Sequence, residues 1–298
     1  MKIIRPVTID DTVFQSSDVP ENDYAAWAVG TTYADGDRVI VTTGYHKIYE
    51  SQQAANVGND PTTDDGTWWL EVSSTNRWKM FDAIVQDQTV QATQIVTTLQ
   101  SPTVVNSMAF LNVAATTIEV TVTDAVEGVV YDETFNMTSY SGIQDWYAYF
   151  FEPIIRKDQL AITDLPPYAN ASIEVTINSS ADAKIGALVM GQFADLGLSQ
   201  HGASLSIIDY STKTTDAQGR VTITDGPYAD KMEVDVVLDT SQIGNANSTL
   251  SSLRTTPAVW IAEDNNDDLV IYGYYREFDI ILSNPTISRL SLEIEGLV

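Results

Sequence analysis

Six aromatic residues, Trp27, Tyr33, Tyr45, Tyr49, Trp68 and Trp69, fall within 43 residues of one another. Flat rings stack on the apolar faces of pyranose sugars while neighbouring polar groups satisfy the hydroxyls. Trp and Tyr beside Asp, Asn and Gln are therefore the materials of a sugar-binding surface. The same rings can equally form the core of a small sheet, and residue type alone leaves both readings open. The polar run Asp60–Gly66 reads as a loop leading into the tryptophan pair.

Other chemistry has less to build on. The two histidines, His46 and His201, are far apart in the chain, so histidine-based triads and zinc sites lack converging partners, and each reads as a turn or surface residue. No nucleophile elbow, phosphate-binding loop or H-E-x-x-H motif occurs. With 41 acidic residues, a carboxylate pair for glycoside hydrolysis cannot be picked out by counting. The run Glu263–Asp268 lacks the glycine and closing glutamate of a calcium loop and lies where a hairpin must turn. The expectation is a non-enzymatic chain with no catalytic residues, no metal and no cofactor.

The elements that would position the rings are strands. The chain has 298 residues, 44% hydrophobic and 19% charged, with Thr, Val, Ile, Asp and Ser plentiful, which marks a globular, mainly β protein of two or three domains. It contains no cysteine, so stability must come from packing or assembly. A formal charge of -26 opposes stable nucleic-acid binding, which needs Lys and Arg to release counterions. No segment approaches the roughly 20 apolar residues of a membrane span, and the opening MKIIRPVTIDD has no apolar run of signal-peptide length.

Five regions follow from the patterning. Residues 1–22 form a lead-in, 23–82 the aromatic module with a small three-stranded sheet, and 83–103 an exposed extended connector. Residues 104–200 carry regular strand signals, with Ile118, Val120 and Val122 and then Ile173, Val175 and Ile177 alternating as a β-sandwich requires. Between two of these strands, Trp146–Phe151 reads as core filling or as an interface. Residues 201–298 predict a C-terminal α+β assembly domain: a hairpin turning at Asp216–Gly219, strands, and one helix with Ser241 as N-cap and Ile243, Leu250 and Leu253 facing the sheet.

The spacing of Trp27, Tyr33, Gly36-Asp37, Val39, Gly44, Tyr49, Pro61 and Trp68 resembles the chitin-binding type 3 carbohydrate-binding modules. The resemblance implies that G-D-x-V turns into a short strand, that the tyrosine follows on the next one, and that exposed rings bind sugar. The positions carried over as carbohydrate-binding are Trp27, Tyr49, Trp68 and Trp69. A second likeness spans nearly the whole chain. MKIIRPVTI, NRWKMFD (Asn76–Asp82), GASLSIIDYSTKTTDAQGR, RTTPAVWIAEDN and REFDIILSNPTISRLSLEIEGL are similar to tail proteins of tailed bacteriophages. This implies a virion protein of the phage tail, a structural component of the tail tip or baseplate. It would act as a ring-forming or adaptor subunit whose partners are other tail proteins and further copies of itself, with host cell-surface glycan as a candidate ligand. The alternatives are a glycan-binding receptor-recognition protein, a neck or collar protein, or an enzyme degrading envelope polysaccharide.

Overall fold

The computed structural model describes residues 1–139, 145–151, 153, 155–216, 218–263 and 269–297. The fold is mainly β, and strands are numbered along the chain. Five of them form one antiparallel sheet in the order β2 (Phe14–Ser17), β6 (Thr89–Gln100), β13 (Ser172–Ile185), β8 (Thr117–Asp124), β9 (Gly128–Asn136). The alternation in β8 and β13 sets their register: Ile118 faces Ile177, Val120 faces Val175 and Val122 faces Ile173. All six side chains are buried. Cross-strand side-chain pairs contribute about 0.2–1 kcal/mol each relative to an Ala–Ala pair.

This sheet packs on a larger one. Its order is β12 (Leu160–Ile162), β7 (Ser107–Leu111), β14 (Ala187–Asp195), β1 (Lys2–Pro6), β20 (Ala258–Ile261), β21 (Val270–Ile281), β22 (Ile287–Gly296), β19 (Tyr228–Asp239) and β15 (Leu198–Ser199), with β16 (Ser204–Asp209) also paired to β19. Met108, Phe110, Leu188 and Met190 join the buried cluster shared with the five-stranded sheet, which makes this region a sandwich. Farther along the large sheet the cover is α2 (Ile243–Ser252). Its Ala246 and Leu250, with Leu253 just beyond, enter a cluster with Val236, Trp260 and Leu290.

The N-terminal strand β1 lies between β14 and β20, and so strands from both sides of residue 200 share one sheet. Ile3 and Ile4 are fully buried, on different faces. Close approach here requires Gly191, because a Cβ at that position would lie 1.9 Å from the Arg5 carbonyl oxygen.

Three expectations change. The stretch 83–103 is not an exposed connector: β6 lies between β2 and β13, with Ile95, Thr97 and Leu99 buried, because its apolar and polar alternation aims one face into the sandwich. Ser241 does not cap the helix. A 3-10 turn, Thr240–Gln242, runs into α2, and the residue at its N-cap is Gln242, without a side-chain capping bond. The core-filling reading of Trp146–Phe151 also fails. These residues form the short helix α1, on which Trp146, Tyr147, Tyr149, Phe150 and Phe151 are each more than half exposed. The turn at Asp216–Gly219 stands where expected, between β17 (Thr212–Thr215) and β18 (Val221–Thr224). A short ladder of β10 (Thr138–Ser139) and β11 (Ile155–Arg156) flanks the segment that carries α1. In the acidic run Glu263–Asp268, residues 264–268 lie outside the described residues.

Candidate functional site

The aromatic module is a three-stranded antiparallel sheet, β3 (Arg38–Val41), β4 (Lys47–Ser51) and β5 (Trp69–Ser74). Gly36, at φ +84°, occupies the left-handed region that a residue with a Cβ adopts only under strain, and it turns the chain into β3. Asp37 closes this turn by accepting the Ala34 N–H at 2.7 Å. Tyr49 follows on β4.

The rings divide into core and rim. Tyr33, Val39, Tyr49 and Trp69 form the buried cluster, with Tyr33 and Trp69 edge to face at a centroid distance of 5.1 Å. Trp69 is 2% exposed and Tyr49 5%, so neither has a face to offer a sugar. The Trp69 Nε1–H donates to the Asn59 carbonyl at 2.9 Å. Burial, followed by the nearby Glu71 charge, pushes the Tyr49 hydroxyl above its ordinary pKa. Trp27 and Trp68 pack against this cluster and remain half-buried. The Trp27 Nε1–H is itself buried and has no hydrogen-bond partner.

The loop before the tryptophan pair fixes it from outside. Asp64 Oδ2 accepts the backbone N–H groups of Gly66, Trp68 and Trp69 at 2.9, 3.0 and 3.0 Å. The fully buried Asn56 donates to Ser51 Oγ at 3.1 Å and to the Trp68 carbonyl at 3.3 Å, and its Oδ1 accepts from Asn59 at 2.8 Å. Its polar atoms are thereby paired, which a buried amide requires.

A second constellation joins the module to the sandwich. His46, in the turn between β3 and β4, stacks on Trp78 at 3.9 Å and 15°. Its Nδ1 lies 2.9 Å from Glu21 Oε1 and its Nε2 2.7 Å from Asp11 Oδ1. Glu21 also accepts from the Thr75 hydroxyl at 2.8 Å and lies 3.4 Å from the Arg77 guanidinium, whose Nε–H donates to the Val19 carbonyl at 2.6 Å. His46 is therefore not turn decoration. His201, by contrast, sits in an exposed turn.

No protein-family model and no curated protein matches this chain.

Beside His46 opens a cleft of about 470 Å³, lined by Asp10, Tyr45, Lys47, Trp78 and Asp82 among others. Asp82 Oδ1 accepts the Ile84 N–H at 2.9 Å, while its buried Oδ2 has no partner. Burial raises the pKa of this carboxyl. A further cleft, of about 340 Å³, is lined by Asp158, Asp230 and Tyr272. The Asp230 carboxyl is raised by burial first and then by the charge of Asp158. Among the described residues, no group of three or more His, Asp or Glu is placed to hold a metal ion, and no helix is long and apolar enough to cross a membrane.

Proposed function

We propose that this chain is a structural subunit of a phage tail tip or baseplate, acting through protein contacts and without turnover. The observation that carries this reading is α1, on which five large aromatic side chains are 56–77% exposed. Rings so displayed cost solvation free energy unless another surface covers them, and exposed apolar patches larger than a few hundred Å² mark interaction sites. The rings pair along the short helix, Trp146 with Phe150 at 6.2 Å and Tyr147 with Phe151 at 4.9 Å, and so form one aromatic face. The resemblance to tail proteins supplies the setting, and a neck or collar position would use the same contacts. Replacing Trp146, Tyr147, Phe150 and Phe151 by Ala tests the reading. The variant is expected to fold normally yet fail to enter particles, and normal incorporation would remove α1 as the contact.

A second reading, glycan binding by the module, rests on the partial exposure of Trp27 and Trp68 beside a polar loop. Alanine at both positions, with the buried pair left intact, is expected to reduce adsorption to host cells; unchanged adsorption removes this reading. The Asp158 and Asp230 pair is tested separately by glycan release from cell-envelope polysaccharide. Release lost in an Asp230→Asn variant would overturn the non-enzymatic reading.

A further inference from the structure

The hairpin β17–β18 leaves the large sheet as an exposed ribbon. All eight of its strand residues are exposed. Its pairing places Thr215 opposite Val221 and Lys213 opposite Ile223, while Thr212 pairs with Thr224 and Thr214 with Thr222. Alternation along a strand therefore gives one face of Val221, Ile223, Thr215 and Lys213, and another made entirely of threonine. A lone two-stranded hairpin is marginal in water.

The base of the ribbon is fixed. The Tyr210 N–H donates to the Pro227 carbonyl at 3.1 Å, and the Gly226 N–H donates to the Ser211 hydroxyl at 3.1 Å. A Cβ on Gly226 would lie 2.6 Å from the Tyr210 carbonyl oxygen, so only glycine allows this close crossing. Just before the ribbon, on β16 of the large sheet, Leu205 and Ile207 are 48% and 63% exposed. The ribbon is thus held in one direction and carries unspent apolar surface at its root.

Its charge is unlike that of the rest of the molecule. Within Thr212–Thr224 the charged residues are Lys213, Asp216 and Arg220, a net of +1 in a chain of net charge -26; Arg220 is paired with Asp216 at 2.8 Å, so Lys213 is the cation the ribbon offers. A complementary surface exists on the same chain. Strand β9 is the end strand of the five-stranded sheet, with one side unpaired among the described residues. Its exposed Asp132 and Glu133, with Glu127 in the turn before it and no Lys or Arg from Asp124 to Asn136, make it an acidic edge, and Val129 is 60% exposed. Charges on an open edge reject strands of like sign and leave it selective for a cationic one.

We propose that the β17–β18 ribbon is an assembly arm that docks on the acidic β9 edge of a second copy of this chain. Two different patches meet, so the contact is head-to-tail and closes into a ring when the rotation permits. This rests on the structural-subunit reading above and names its contact.

The test is light scattering of the full chain over a concentration series. The wild type is expected to assemble to a multiple of the monomer mass, and Val221→Asp with Ile223→Asp to remain monomeric with an unchanged melting temperature, since both side chains are exposed. Lys213→Glu alone, or Asp132→Lys with Glu133→Lys alone, is expected to weaken assembly at least tenfold. All three charge changes in one chain are expected to restore it. A wild type that stays monomeric throughout overturns self-docking, and an unchanged assembly in the Val221 and Ile223 variant overturns the arm. Failure of the charge exchange to restore assembly overturns the β9 edge as receiver. None of these outcomes touches the virion assignment, which stands or falls on the presence of the chain in particles.

Discussion

Trp69 and Trp68 are neighbours in sequence and differ in what their removal should cost. Trp69 fills the module core and donates from its indole nitrogen, so Trp69→Ala is expected to destabilise the module by about 3–5 kcal/mol in a denaturant melt. Trp68→Ala should cost less, because that ring is only half-buried. Asp82 gives a pH test. Its ordinary value is 3.8, and burial raises it in the fold. Below that value both folded and unfolded chains carry the proton and burial of the group costs no charge. As pH rises through the raised folded value, the fold must bury a charge that water would solvate, and stability is lost. Asp82→Asn should therefore gain melting temperature relative to wild type at neutral pH and lose that advantage near pH 3. Equal offsets at both pH values would contradict the burial account. The aromatic density of this region was legible in sequence, but which rings face inward was not. Tyr49 on β4 and Trp69 on β5 are buried by strand pairing and by the Asp64 clamp, and neither has a local signature. The His46 junction was invisible for the same reason, since its partners Asp11 and Glu21 come from the lead-in.

Among the elements, strands with clean alternation were readable. The buried triplets of β8 and β13, the strand β19 and the hairpin turn at Asp216–Gly219 all stand where the pattern puts them. The alternation in β6 was equally present, yet its polar residues suggested exposure, and only pairing on both sides makes it central. The placement of β1 is a long-range fact that the five residues of Lys2–Pro6 do not contain. It predicts that Gly191→Ala, whose Cβ would strike the Arg5 carbonyl, pushes β1 off β14. The expected cost is about 1–3 kcal/mol, the range for overpacking, with the loss seen in amide exchange at Ile3 and Ile4 before it is seen elsewhere. If exchange there is unchanged, the close approach is not what holds the strand.

For the whole molecule, the two projecting elements matter more than the clefts. The aromatic α1 and the ribbon β17–β18 display apolar side chains on parts of the chain that contribute little to its own core, while the remainder is a well-buried double sheet. A chain built this way gains stability by mass action when partners cover those surfaces. Its net charge of -26 opposes association of like copies, and the Lys213 side of the ribbon is where that repulsion is locally relieved. The proposed role is that of a building block of a virus particle. Quantitative mass spectrometry of purified tailed-phage particles, produced from the genome that encodes the chain, tests it most directly. The account predicts the full-length chain in several copies per particle, in fixed ratio to the other tail proteins. Mature, infectious particles that lack it would contradict the account.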